Sequence, residues 1–391
     1  MIFKNFNYYF QIFLIFLLLL GTFYFFQKYN NPIEYTISEW LINYQGGFTR
    51  RGLLGEIIHQ LSKVFNFTHR ELILITQITI NCIYFVLIFK IIKKLNVDLI
   101  LALAILSPIF LSYQFSEVEV LGRKEIFAFI SLIIISNIFS LNINPKIKYF
   151  FLSILFCLLV LIWEGIIFFI QFFLFITFAN NRFVINKNYI LKLFIVITPT
   201  IVAIYFVTFV KLSPSQMVIM CSSFNEACYN AINFLHWPLN AAIIEVKTQF
   251  KLSYLIRYLL IFTIGFLPLF IILKNSKINE GRSCFGKNSI LIFYILLIIF
   301  TFPIYYIAKD WARWVNITYS LSMITFIYCL QNKIIEYEII KLNLNYLRKK
   351  IFIASIFLIF SFSWSPKILI NDDVSSLPLY RKTLNIIKYF N

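Results

Sequence analysis

The sequence predicts an all-α polytopic integral membrane protein with about eleven transmembrane helices. Three observations carry this. Hydrophobic residues make up 60% of the chain, where ordinary globular proteins hold about 45–50%. Charged residues make up 13%, about half the usual ~25%. Mean hydropathy is +0.82. No soluble core formed by 391 residues could bury that much apolar surface. The same composition excludes a disordered chain, a coiled coil and a secreted disulfide scaffold.

Apolar runs bounded by charge or by Asn, Pro and Gly place the spans near 10–26, 72–89, 99–114, 126–141, 149–163, 165–179, 191–210, 253–273, 289–308, 314–330 and 351–364. No small-x-small cleavage site follows the first run, so it is expected to remain as a helix. Glu164-Gly165 interrupts the apolar stretch 149–179, which predicts a hairpin of two short helices. The whole chain, 1–391, reads as one transmembrane domain. Two longer segments, 27–71 and 211–252, are amphipathic and are expected to lie as interfacial helices roofing a cavity.

Lys and Arg number 35 against 17 Asp and Glu, a net charge of +18. In a soluble protein this would point to nucleic acid; in a membrane chain it is the excess of cytoplasmic Lys and Arg. No nucleic-acid partner is expected. With the N-terminus inside, the inner segments 1–9, 90–98, 142–148, 180–190, 274–288 and 331–350 hold about half of the bases but few acids. The outer segments mix both signs. All six Trp, at 40, 163, 237, 311, 314 and 364, fall outside or at the outer interface, where indoles can stack on sugar rings. Cysteines form no CxxC pair, and His59, His69 and His236 are too scattered for zinc, so neither a metal nor a cofactor is expected. Cys221 and Cys228 could pair in an oxidising space.

Four motifs carry candidate chemistry. Tyr44–Glu56 contains paired glycines, Arg50-Arg51 and two more glycines, a donor-rich loop suited to phosphate or pyrophosphate. Its plain alternative is a turn with arginines at lipid headgroups. Ser116–Glu125 crowds Glu117, Glu119, Arg123, Lys124 and Glu125 beside an apolar helix. Either its acids cap that helix, or Arg123 or Lys124 holds an anion. Trp163-Glu164-Gly165 sets a lone carboxylate at an apolar turn, where desolvation would raise its pKa toward that of a general acid or base. Finally, Lys309–Trp314 places Asp310 and Arg313 three residues apart on one helix face, flanked by Trp311 and Trp314. It offers a hydroxyl acceptor, a phosphate donor and a ring platform; the alternative is an interfacial anchor. A topology drawn from inner lysines puts all four motifs on the outer side.

The topology and these motifs resemble bacterial surface-polysaccharide polymerases of the O-antigen polymerase type and, more distantly, the GT-C glycosyltransferase superfamily. The resemblance implies a GT-C-like fold in the bacterial cytoplasmic (inner) membrane. Donor and acceptor would be oligosaccharides linked to undecaprenyl pyrophosphate, with the site facing outward. Membrane lipid and a chain-length regulator protein would be partners, and no cofactor is implied. Arg50, Arg51, Arg123 and Arg313 would bind pyrophosphate, with Lys124, Trp311 and Trp314 also binding the substrate. Glu164, Asp310, Glu56 and Glu39 would activate the acceptor hydroxyl. An ordinary GT-C transferase, using a polyprenyl-phosphate sugar, carries a carboxylate in its first outer loop. Glu34, Glu39 or Glu56 could serve, but none lies in an Asp-rich pattern. A lipid-linked sugar transporter would place ionisable residues at mid-membrane and show inverted repeats, which the outer clustering of charge does not match.

Overall fold

The structure is a computed structural model that describes residues 5–32, 34–224, 226, 228, 230–279, 289–338, 346–371 and 374–376. Lys4, Glu280, Arg282, Lys287 and Lys341 of the inner segments, and the side chain of Glu34, lie outside the described residues. The helices in chain order are α1 (Phe6–Asn30), α2 (Glu34–Leu41), α3 (Gly52–Phe65), α4 (His69–Ile92), α5 (Leu99–Ile105), α6 (Tyr113–Ser116), α7 (Ile126–Ser140), α8 (Pro145–Ile162) and α9 (Ile170–Asn180). They continue with α10 (Lys187–Phe209), α11 (Pro214–Ser222), α12 (Asn230–Asn233), α13 (Leu239–Gln249), α14 (Leu252–Lys274), α15 (Ser289–Ile299), α16 (Pro303–Ile307), α17 (Trp311–Gln331) and α18 (Tyr346–Phe362). Two short antiparallel ribbons pair β1 (Ser276–Ile278) with β2 (Ile335–Tyr337) and β3 (Trp364–Pro366) with β4 (Val374–Ser376).

Six described helices are long and apolar enough to cross a membrane: Phe6–Asn30, His69–Ile92, Pro145–Ile162, Lys187–Phe209, Leu252–Lys274 and Ser289–Ile307. The chain is therefore a membrane protein. The other expected spans take different forms. Pro108 stops α5, because it lacks an N–H and restrains the residue before it, so the run 99–114 is a broken helix. The run 165–179 opens with a 3-10 turn, Glu164–Phe169, before α9. The runs 126–141 and 351–364 give 15- and 17-residue helices, and 314–330 becomes the 21-residue α17.

Short polar residues start the helices. Thr68 and Glu71 form a reciprocal capping box on α4, and Ser213 and Gln216 form one on α11. Asp98 accepts from Leu101 N at 2.9 Å to begin α5, and Asn144 with Pro145 begins α8.

The single domain expected over 1–391 divides into two compact units. The N unit comprises Leu14–Lys90 and Glu119–Ala242. Its apolar core joins Ile37 and Trp40 of α2, Ile58 of α3, Ile73 of α4 and Met220 of α11, and α8 packs along α10. The C unit comprises Met1–Phe13, Ile91–Val118 and Ile243–Asn391. At its centre α17 is buried from Trp311 to Cys329. The α17 side chains repair the break after α5: Asn316 donates to Ile109 O (2.9 Å) and Phe110 O (3.0 Å), and Tyr319 donates to Ala104 O (2.8 Å). In lipid every freed backbone carbonyl needs such a partner.

Within each unit, contacts join segments expected on one side. Arg51 meets Glu164 in the N unit, while Lys309 meets Glu245 and Tyr337 meets Asp98 in the C unit.

Candidate functional site

The N-unit site is built around the loop between α2 and α3. Gly47 has φ +127°, and a Cβ at Gly55 would fall 2.0 Å from Ile42 O. Gly47 thus turns the chain, and Gly55 lets α3 press against the backbone that precedes it. Arg51, the N-cap of α3, adopts a left-handed conformation at φ 63°, uncommon for a residue with a side chain.

Three motifs distant in sequence meet here. Arg51 Nε donates to both oxygens of Glu164, at 2.7 and 2.9 Å. A terminal nitrogen of Arg51 lies 3.4 Å from Glu39 Oε1. One terminal nitrogen of Arg50 is 3.6 Å from Glu164 Oε1, and the other donates to Phe234 O at 2.6 Å. Lys124 Nζ donates to Arg51 O at 2.7 Å. Both arginine side chains keep 31% exposure, against 3% for Glu39; Lys124 is fully buried. The cluster therefore presents guanidinium edges outward over a buried acid and amine.

The electrostatics differ from the sequence expectation at Glu164. Burial alone pushes its carboxyl up, as expected, but Arg51 and Arg50 beside it overcome that effect and bring the pKa down to about 2. Glu164 is consequently a fixed anion that holds the guanidinium groups. Burial pushes the Lys124 ammonium down to about 7, opposed by Glu39 and Glu164 and helped by Arg51.

The remaining predicted residues are placed as follows. Arg123 is buried, donates to Glu119 O at 2.9 Å and lies over the Tyr35 ring. It is spent on the fold instead of standing open to an anion. Glu56 accepts from Tyr44 N (2.9 Å), from Gln45 Nε2 (2.9 and 3.1 Å) and from Gln60 Nε2 (2.6 Å). Burial acts to raise its pKa, but these donors lower it below the ordinary value. Glu56 latches the glycine loop to α3.

Asp310, Arg313, Trp311 and Trp314 belong to the C unit and form a second cluster. Arg313 donates to Asp310 Oδ2 at 3.1 Å and lies 4.9 Å above the Trp314 ring. Trp311 donates its indole N–H to Tyr305 O at 2.9 Å, and Trp314 donates to Ala308 O at 3.3 Å. Both rings are buried, which corrects the expectation of open sugar platforms: each indole has its N–H satisfied and its faces packed. Trp40 and Trp163 are buried too.

Lys28 and Arg70 of the N unit had no sequence signal that singled them out. Lys28, at the end of α1, donates to Leu121 O at 2.6 Å. Arg70 grips Glu226, with Nε 2.8 Å from Oε1. His59 and His69 stack with Nδ1 and Nε2 at 3.0 Å. Their ten-residue spacing across a helix–turn–helix was a usable clue, since the short turn folds α4 back beside α3. Cys221 and Cys228 are disulfide-bonded. No group of three or more His, Cys, Asp or Glu suited to a metal occurs among the described residues.

No family model, curated protein or solved structure matches the chain.

Proposed function

We propose that the chain is an integral-membrane glycosyltransferase that joins oligosaccharide repeats carried on undecaprenyl pyrophosphate. It works at the outer face of the bacterial cytoplasmic membrane, with its N-terminus in the cytoplasm. In this reading the shorter and broken apolar helices complete about eleven spans in a GT-C-like arrangement, and a chain-length regulator is a further partner. The observation that supports the reading best is the convergence of Arg50, Arg51, Glu39, Glu164 and Lys124 in the N unit.

The chemistry follows from the exposure of each group. Arg50 and Arg51 meet the donor pyrophosphate, with Glu164 fixing their orientation. An acceptor sugar hydroxyl attacks the anomeric carbon of the donor. The new C–O bond forms as the bond to the pyrophosphate oxygen breaks. The lipid pyrophosphate leaves with the electron pair, and the hydroxyl proton passes to water, because Glu39 is buried beneath Arg51. The guanidinium charge stabilises the departing anion, a contribution of about 2–4 kcal/mol per donor in sites of this kind.

The test is lipid binding by the purified full chain in detergent. Undecaprenyl pyrophosphate should raise its melting temperature, and Arg51→Ala should weaken binding at least ~10-fold, since charge-assisted phosphate contacts are strong. Failure of the pyrophosphate lipid to bind, or equal binding by Arg51→Ala, defeats the proposal. Cysteine labelling tests the orientation. Positions 119 and 309 should react from outside and positions 94 and 187 from the cytoplasm; the reverse pattern removes the site from the proposed face.

One observation favours a second reading. Glu39, a carboxylate of the first outer segment, lies against Arg51, which fits a GT-C transferase using a polyprenyl-phosphate sugar. Tighter binding of undecaprenyl phosphate than of undecaprenyl pyrophosphate would select it.

A further inference from the structure

At the opposite end of α3 from Arg51, the N unit holds a cavity that the transfer chemistry does not use. It has a volume of about 670 Å³, within the ~300–1,000 Å³ range of ligand sites. Tyr29 and Asn30 line it from the end of α1, Ser62 and Asn66 from the end of α3, Phe67 from the turn, and His69 from the start of α4. The Arg70–Glu226 pair completes one wall, and Arg70 also donates to Tyr29 O at 3.0 Å. Glu226 lies inside the short loop closed by Cys221 and Cys228, which restrains this wall before any ligand arrives.

The lining decides the class of ligand. Arg70 and Glu226 neutralise each other, so an anion finds no net charge here. The described residues offer no metal cluster. What remains is two amides, the hydroxyls of Ser62, Thr68, Ser223 and Tyr29, an imidazole and two aromatic rings. Amides, hydroxyls and imidazole both donate and accept, as sugar hydroxyls do, and aromatic faces cover the apolar faces of pyranose rings.

We propose that this cavity binds neutral sugar residues of an oligosaccharide. The inference rests on the transfer reading for its placement. The 14 residues of α3 separate the cavity from Arg51 by about 20 Å. A chain reacting at Arg51 reaches the cavity only through several sugars. The site therefore grips the distal part of a repeat and favours a long acceptor or donor over a single sugar.

The test places p-benzoylphenylalanine at Phe67 in the full chain, in membranes of the native host, with irradiation and mass analysis of the adducts. Carbohydrate-bearing adducts are expected at 67. The same probe at Val64, an α3 residue that is 71% exposed, should capture phospholipid. Ser62→Phe, which fills the cavity, or Asn30→Ala should reduce the sugar adduct at 67 at least ~10-fold, the loss of about 1.4 kcal/mol. Adducts with phospholipid alone at 67, or none, overturn the proposal, as does a sugar adduct equally strong at 64. Failure of the transfer reading is separable from this. Sugar adducts at 67 in a chain that does not bind undecaprenyl pyrophosphate leave the cavity standing. Lipid pyrophosphate binding without sugar at 67 removes the cavity alone.

Discussion

The N-unit and C-unit charge clusters both pair arginine with a carboxylate and are built in opposite ways. In the N unit, Arg51 and Glu164 are 113 residues apart and Lys124 and Arg51 are 73 apart, and the guanidinium groups remain partly open. In the C unit, Asp310 holds the N-cap position and Arg313 lies in the first turn of one helix, and Arg313 keeps 4% exposure against the Trp314 ring. A local pair can serve to neutralise a buried arginine as its helix enters apolar surroundings. Collecting charges from three segments at one partly open spot needs the whole unit and suits a ligand. The same chemistry in sequence can thus be an anchor or a site, and exposure distinguishes them.

The sharpest way to break this contrast is to remove each arginine. Arg51→Ala should cut transfer at least ~100-fold, the scale of one lost electrostatic donor. Arg51→Lys should restore little, because an ammonium does not replace a bidentate fork. Membrane abundance should fall far less than transfer does, because Arg50 still stands beside Glu164. Polymer yield and abundance measured together decide the matter, and full transfer in Arg51→Lys would reduce this residue to an anchor.

The C unit should behave conversely. Arg313→Gln takes the guanidinium from Asp310, which keeps 20% exposure, so the cost should fall below the ~3–5 kcal/mol of a fully buried pair. Abundance should fall, and the double variant Asp310→Asn with Arg313→Gln should recover it. Asp310→Asn that loses transfer ~100-fold at normal abundance would bring the C-unit pair into the reaction.

A smaller effect is expected from pH. Lys124 has its pKa lowered in the fold to about 7, from an ordinary value of 10.5. Between these values the unfolded chain binds more protons than the folded one, so stability contributed by this group rises with pH through that window. Below about 7 both states are charged, and the folded state carries the full cost of burying the ammonium. Thermal unfolding in detergent at pH 7 and pH 10 should show the rise, and Lys124→Met should flatten it. An unchanged slope would mean that Lys124 is not the titrating group.

The smallest effect belongs to Glu56. Glu56→Gln keeps one acceptor oxygen for the loop and should cost about 1 kcal/mol, with transfer changed no more than a few-fold. A loss as large as that of Arg51→Ala would move Glu56 from the latch into the reaction.

Much of the scaffold was legible in the sequence. The six membrane-length helices fall within a few residues of the runs at 10–26, 72–89, 149–163, 191–210, 253–273 and 289–308, because span length depends on local apolarity. The run at 99–114 reads as one span despite Pro108, since apolarity continues through the break; the carbonyls it frees are answered by Asn316 and Tyr319 two hundred residues away. Glu164 was recognisable as an unusual carboxylate, but its low pKa was not, because its sign depends on which cations stand beside it. Arg123 and Trp311 were recognisable as residue types with binding chemistry, and nothing local told that both would be buried.

By itself the sequence determined that this is a membrane protein, where its apolar helices run, and which segments between them carry both acids and bases. Those properties depend on composition and on neighbours along the chain. Only the tertiary structure decided that Arg50 and Arg51 share Glu164, that Lys124 is buried beneath them, that Arg70 and Glu226 close a cavity wall, and that Asp310 and Arg313 stand in another unit. In an apolar interior a charge must find a partner wherever the fold provides one, and that partner is chosen by packing across the chain.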